Sequence, residues 1–110
     1  MNMLRRISEE LRERLIRSFM DLVILKELRN SAGMSGYDII TSFRRKFYTL
    51  PSPGTVYSVM YAMERKELVE GIVVNRKRVY KLTKKGEEKI TNILLNIENV
   101  HLFVESMFGK

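Results

Sequence analysis

Apolar residues recur at intervals of three and four between Ser8 and Asn30, at Leu11, Leu15, Phe19, Leu22, Leu25 and Leu28, which is the periodicity of one amphipathic helix face. Ser31, Ala32 and Gly33 stop this helix, and Leu4 and Ile7 lie in register with it, so the pattern leaves open whether residues 1–7 extend it backwards. Ser35 followed by Asp38 resembles a capping box and predicts a second helix with Tyr37, Ile40, Phe43 and Phe47 inward and Arg44, Arg45 and Lys46 largely outward. Leu50-Pro51 ends it, because the residue before a proline is pushed out of the α region. Ser52 is a good N-cap and Pro53 suits the first helical position, so a third helix runs from there to about Lys66. It buries Val56, Val59, Met60 and Met63, and leaves Thr55, Ser58, Tyr61, Ala62 and Arg65 on the other side with Tyr57 at the margin. Residues 69–74 and 78–82 are β-branched and aromatic runs either side of Asn75-Arg76-Lys77, hence a β-hairpin with a basic tip. Thr83 then caps a last helix.

These elements predict a mainly α fold with a small β-hairpin (α+β), a winged helix-turn-helix carrying a long C-terminal dimerisation helix. Residues 1–86 form the winged helix-turn-helix with its N-terminal helix, and residues 87–110 the C-terminal helix. Ile90, Ile97 and Val104 are a heptad apart, with partners three or four residues on, and charge is nearly absent between them. Ile90, Leu94, Ile97, Val100, Val104 and Met107 are therefore expected at a homodimer interface. The rival reading folds this helix back onto the first helix of its own domain.

Composition narrows the chemistry. The chain has 110 residues, no cysteine and a single histidine, so disulfides, thiolate chemistry and a common zinc site are absent from expectation, and no metal or cofactor is predicted. Neither a nucleophile with a base nor a paired set of carboxylates is visible, which points away from an enzyme. No apolar run approaches the roughly 18 residues of a membrane span, and MNMLRRISEEL has no apolar signal-peptide core, so a soluble cytoplasmic protein away from membranes is expected. His101 could sense pH at an interface, but a solvated or hydrogen-bonded structural histidine is the commoner case.

The net charge of +7 does not come from the chain ends. Arg76, Lys77, Arg78, Lys81, Lys84, Lys85 and Lys89 face only Glu87 and Glu88 in residues 75–89, and Arg44, Arg45 and Lys46 form a second patch. Two internal basic patches make a footprint for a polyanion, since each cation near a phosphate releases a counterion; the bland alternative is a solvated surface. On duplex DNA, Ser52, Thr55 and Tyr57 suit phosphate or sugar contacts at the positive end of the third helix, where Gly54 lets the backbone approach. Ser58 and Tyr61, one turn on, suit base edges, with Arg65 at the far edge. Arg76, Lys77 and Arg78 belong to the wing, and Arg44 and Arg45 to flanking phosphate. Each has a competing role: Tyr57 or Tyr61 packs on the domain, Ser52 only caps, Arg65 pairs with Glu64 or Glu67. Tyr37 and Tyr80 read as core or rim aromatics.

From Phe19 to Thr91 the sequence resembles the PadR family of winged-helix transcriptional regulators. The matching blocks are Asp21-Leu22-Val23-Ile24-Leu25, Ser35-Gly36-Tyr37-Asp38-Ile39, Ser52-Pro53-Gly54-Thr55-Val56-Tyr57, Leu68-Val69 and Arg78-Val79-Tyr80-Lys81-Leu82-Thr83-Lys84-Lys85-Gly86, of which the Ser-Pro-Gly-Thr-Val-Tyr block is the most specific. The resemblance implies a dimeric repressor with the third helix in the major groove, the hairpin as wing and the last helix as dimer arm. One helix after the wing places it with the shorter subgroup. Some members bind drug-like or phenolic effectors at the dimer interface with aromatic help; with no tryptophan, the residues here do not indicate one. The other functions that such a domain serves are a protein-interaction module, a non-specific architectural DNA binder and, less suited to this pattern, an RNA binder.

Overall fold

Ser8 starts the longest helix, α1 (Glu9–Arg29): its hydroxyl accepts the Leu11 N–H at 3.1 Å, and Glu9 and Glu10 sit at the positive end of the helix dipole. The structure is a computed structural model that describes residues 7–49 and 51–109; whether residues 1–6 extend α1 backwards, which the pattern leaves open, and the role of Leu50 in ending the second helix lie outside the described residues. The face that α1 buries is Met20, Ile24, Leu25 and Leu28, with Ile16 and Val23 against it. Leu11, Leu15 and Phe19, expected on the buried face, remain 40–45% exposed. The reason is that α1 carries two apolar stripes, and the domain covers the one through Ile16, Met20 and Ile24.

α2 (Gly36–Phe47) has the full reciprocal capping box, Asp38 N–H to Ser35 Oγ at 3.1 Å and Ser35 N–H to Asp38 Oδ2 at 3.0 Å. It buries Ile39 and Phe43, while Phe47 meets Phe43 edge to face at 5.7 Å. Tyr37, expected inward, stands 66% exposed, because Ile39 rather than Ile40 centres the inner face and turns Tyr37 outward. Ser42 is buried beside Glu27 of α1 and donates to its Oε1 at 2.5 Å; Lys46 Nζ reaches the same carboxylate at 2.9 and 3.0 Å. Burial pushes the Glu27 carboxyl up, but the Ser42 hydrogen bond, the Lys46 hydrogen bonds and the charges of Lys46 and Lys26 outweigh it and hold it below the ordinary value.

Tyr48 closes α2 in the left-handed region (φ 54°), and α3 (Pro53–Arg65) follows with Val56, Met60 and Met63 buried and Val59 half-buried, as the sequence pattern predicts. The helix ends in a Schellman turn: Leu68 N–H bonds Met63 O and Glu67 N–H bonds Glu64 O, both at 2.9 Å, with Glu67 at φ 62° where glycine is usual. That turn sends the chain straight into β1 (Val69–Val74), which pairs antiparallel with β2 (Lys77–Leu82). Lys77 pairs with Val74, so the turn is two residues, Asn75 and Arg76, both with positive φ (51° and 65°), rather than the three expected. Met34 adds a short third rung, exchanging bonds of 3.0 and 2.9 Å with Tyr80, whose ring is fully buried.

α4 (Lys84–Leu95) is capped by Thr83, whose hydroxyl accepts Gly86 N–H at 3.0 Å and donates to Glu67 O at 2.6 Å. A last helix, α5 (Ile97–Met107), follows after a single residue. The uninterrupted C-terminal helix expected from the sequence is thus broken at Asn96 (φ −108°, ψ 14°), whose side-chain Nδ2 donates to Asn92 O at 2.8 Å. Asparagine competes locally for backbone carbonyls and is a weak helix former, which is the physical reason for the break. Ile90, expected at the dimer interface, is only 1% exposed and completes the core with Ile24, Leu25, Ile39, Phe43 and Met60; the helix there packs on α1 and the hairpin. Among the described residues, α5 buries none of its side chains.

Candidate nucleic-acid interface

The candidate surface is built by what α3 leaves outside. With Val56, Met60 and Met63 turned inward, the helical period sets Ser52, Gly54, Thr55, Ser58, Tyr61 and Arg65 on the exposed side, and all are exposed. Tyr61 is half exposed, and its ring lies 6.4 Å from that of Tyr57, tilted by 31°. Tyr57 is half-buried, because its ring lies across Gly36 at the start of α2; a Cβ on Gly36 would come within 2.6 Å of the ring Cζ and 2.7 Å of the hydroxyl. Glycine at 36 is thus the floor on which the Tyr57 side chain of α3 rests. This close approach was not anticipated from the sequence, although Gly36 stands between the two capping-box residues where a glycine has no capping role.

At the helix start, Ser52 Oγ accepts Thr55 N–H over a long 3.5 Å, and no acidic residue occupies the first turn, so the positive end of the dipole is uncompensated there. A Cβ on Gly54 would meet nothing nearer than Ser52 Oγ at 3.7 Å. Packing inside the chain therefore does not require glycine at this position.

The cations separate into two groups. Arg44 and Arg45 at the end of α2, Arg65 at the end of α3, and Arg76 and Lys77 at the hairpin turn are exposed, and none of them forms an ion pair among the described residues. Lys46 is turned back to Glu27, as described, and Arg78 is turned back to α3. Arg78, expected with the free cations of the wing, places Nη2 2.6 Å from Glu64 Oε2, and its guanidinium lies 5.6 Å from the centre of the Tyr80 ring. Its hydrogen bond to Glu64 raises the guanidinium pKa further, and the same bond holds the Glu64 carboxyl below the ordinary value. Glu64 is thereby removed as a partner for Arg65. Tyr37, exposed beside Gly36, adds an aromatic hydroxyl to this side of α2 that the sequence pattern had placed inside.

The sequence model of the Transcriptional regulator PadR-like family matches residues 24–92, from the middle of α1 into α4. The chain belongs to this family. PadR-like proteins are transcriptional regulators and not enzymes. A PadR-like transcriptional regulator from Bacillus cereus superposes with a TM-score of 0.75 at 20% identity, over 88% of this chain and 98% of that one. A transcriptional regulator from Clostridium thermocellum gives 0.73 at 23% identity, over 94% and 99%. Bacillus subtilis PadR, crystallised in complex with operator DNA, gives 0.62 at 21% identity, over 68% of this chain and 46% of that one. At these identities the likeness is one of fold, and the PadR-like winged helix-turn-helix expected from the sequence is the fold observed. No curated protein matches the sequence. Among the described residues no helix of this PadR-like chain is long and apolar enough to cross a membrane, and no group of acidic or histidine side chains could hold a metal ion.

Proposed function

We propose that the chain is a sequence-specific DNA-binding regulator that acts as a homodimeric repressor in the cytoplasm. Residues 52–66 enter the major groove, where Ser58 and Tyr61 meet base edges and Arg65 the far edge. Ser52, Gly54, Thr55 and Tyr57 approach the backbone at the start of α3, Arg44 and Arg45 a flanking phosphate, and Arg76 and Lys77 the backbone or minor groove beside it. The observation that carries this reading is the split among the cations: those at the hairpin turn and the ends of α2 and α3 are exposed and unpaired among the described residues, on a PadR-like fold whose Bacillus subtilis relative was crystallised with operator DNA. The open space at Gly54 supports backbone approach there, since nothing within the chain requires a glycine.

The homodimer is supported by α5, where Ile97, Val100, Val104 and Met107 recur at three and four residues and none is fully buried among the described residues, in register with Leu94 of α4, which packs on the edge of the core. Two copies would set their α3 helices about 34 Å apart on a pseudo-palindrome. Anisotropy titration of the protein against duplex from upstream of its own gene and against a scrambled duplex, each at two salt concentrations, tests the reading. Tighter binding to the native duplex that persists at the higher salt is expected. Equal binding abolished by salt would indicate a non-specific architectural role, and no binding at low salt a protein-interaction module.

A further inference from the structure

The contact between the recognition helix and the wing rests on one carboxylate. Glu64, in the last turn of α3, accepts Arg78 Nη2 at 2.6 Å and the backbone N–H of Gly71 at 3.3 Å through the same oxygen, Oε2, so it grips both strands of the hairpin at once. Gly71 is the floor of this contact: a Cβ there would fall 2.7 Å from Arg78 Nε and 2.8 Å from Nη2, so a side chain at 71 would displace the guanidinium from this position. On its other side the guanidinium faces the ring of Tyr80, which is anchored in the core. A two-stranded hairpin is marginal on its own; the buried Val69 and Tyr80 and the Met34 bridge fix its base, while Ile72, Val73 and Val74 are exposed towards its tip, so Glu64 holds it to α3 between the anchored base and the free tip.

We infer that Glu64 and Arg78 form a strut that aligns the wing with the recognition helix, and that Arg78 serves DNA binding through this alignment rather than by touching DNA. The inference rests on the DNA-binding reading above. Glu64 is then a positioning residue, and its acidity beside a DNA surface, unfavourable by itself, is explained by the cation it holds. The two possible roles of Arg78 give opposite signs for Glu64. If Arg78 were a phosphate contact that Glu64 merely competes for, removing the carboxylate would free a cation and tighten binding. If the pair is a strut, removing the carboxylate loosens the wing and weakens binding.

The test uses the full chain with Glu64→Gln, Arg78→Gln and the double exchange Glu64→Arg with Arg78→Glu, titrated against a duplex selected by the wild-type protein from a random-sequence pool, across a range of salt. The strut requires both single variants to weaken binding about tenfold, a size typical of coupled charged neighbours, with the salt slope unchanged, and the exchange to recover the ion-pair part of the loss but not the part carried by the Gly71 hydrogen bond, which an arginine cannot accept. Tighter binding by Glu64→Gln, a salt slope lowered by about 0.9 in Arg78→Gln, and an exchange worse than either single change would overturn it. Amide hydrogen exchange at Gly71 provides the arm that needs no DNA: its protection should fall in both single variants, and unchanged protection would overturn the strut even if binding changed. Selection of no duplex by the wild type would refute the DNA-binding reading alone, leaving the strut to be decided at Gly71.

Discussion

Two single residues act on stability in opposite directions in this chain. Arg76 sits at φ 65° in the second position of a two-residue hairpin turn, where Asn-Gly is the favoured pair. The left-handed conformation costs an L-residue about 1–2 kcal/mol, and glycine loses about 0.5–1 kcal/mol of that gain to its freer unfolded chain. Arg76→Gly should therefore raise stability by about 0.5–1 kcal/mol in thermal melts. If Arg76 touches backbone phosphate, the same change should weaken DNA binding and lower the salt slope by about 0.9, a gain in stability paired with a loss in affinity. Glu27 is the converse case, a buried carboxylate stabilised by its partners. Its folded pKa lies below the ordinary 4.5, so its contribution is complete above that value and is lost as pH falls through the lower, folded value. Glu27→Gln should cost about 1.5–3 kcal/mol at neutral pH, the size of hydrogen bonds to a charged group. It should stay short of the cost of stranding a buried charge, because Lys46 is 44% exposed and can be rehydrated. Urea denaturation from pH 7 to pH 3 should show the wild-type advantage over the variant shrinking only at the acid end.

At the scale of elements, the decisive junction is where α4 leaves the hairpin. Gly86 is buried against the backbone of Leu68, and a Cβ there would collide with the Leu68 carbonyl oxygen, which is backbone and cannot swing aside. Gly86→Ala, harmless by helix propensity and even favourable, should instead destabilise by about 2–3 kcal/mol through overpacking, measured by denaturant midpoint, and should do so without changing residues of the proposed DNA surface. Local signals made most of the elements readable in advance. Ser35 with Asp38, Ser52 with Pro53, and the β-branched runs each state their structure within a few residues, and Val56, Met60 and Met63 followed from period alone. What period could not decide was which of two apolar stripes a helix buries: α1 presents both the Leu11-Leu15-Phe19 and the Ile16-Met20-Ile24 faces, and only the arrangement of its neighbours chooses. The inward Ile39 and outward Tyr37 differ from expectation for the same reason. The candidate site was legible as a set of residue types on α3 and the turn, whereas the commitments of Lys46 to Glu27 and of Arg78 to Glu64 join residues 19 and 14 positions apart, which no local pattern encodes.

For the whole molecule, the break at Asn96 changes what the C-terminal segment can be. The described residues extend over 50 × 27 × 22 Å, and α4 up to Ile90 belongs to the core, with Ile93 and Leu94 packed on its edge. The part free to meet another copy is then α5, on which Ile97, Val100, Val104 and Met107 keep the three-and-four spacing although Ile90 has left the series. Leu11, Leu15 and Phe19 add a second apolar face on α1 that the domain does not cover. Ile97→Asp with Val104→Asp places two charges on the α5 stripe while leaving every core residue in place, so the variant should keep its helical circular dichroism and melting behaviour at high dilution. Sedimentation should show a dimer for the wild type and a monomer for the variant. DNA binding should change in a way that separates dimerisation from the surface itself: each α3 and turn remains intact, so the monomer should still bind a half-site with the salt slope of one protomer, and should lose the additional affinity that a second, linked half-site confers. A variant that remains dimeric would move the interface to the α1 face, and a dimer-free wild type that binds its operator tightly would remove the two-fold geometry from the proposal.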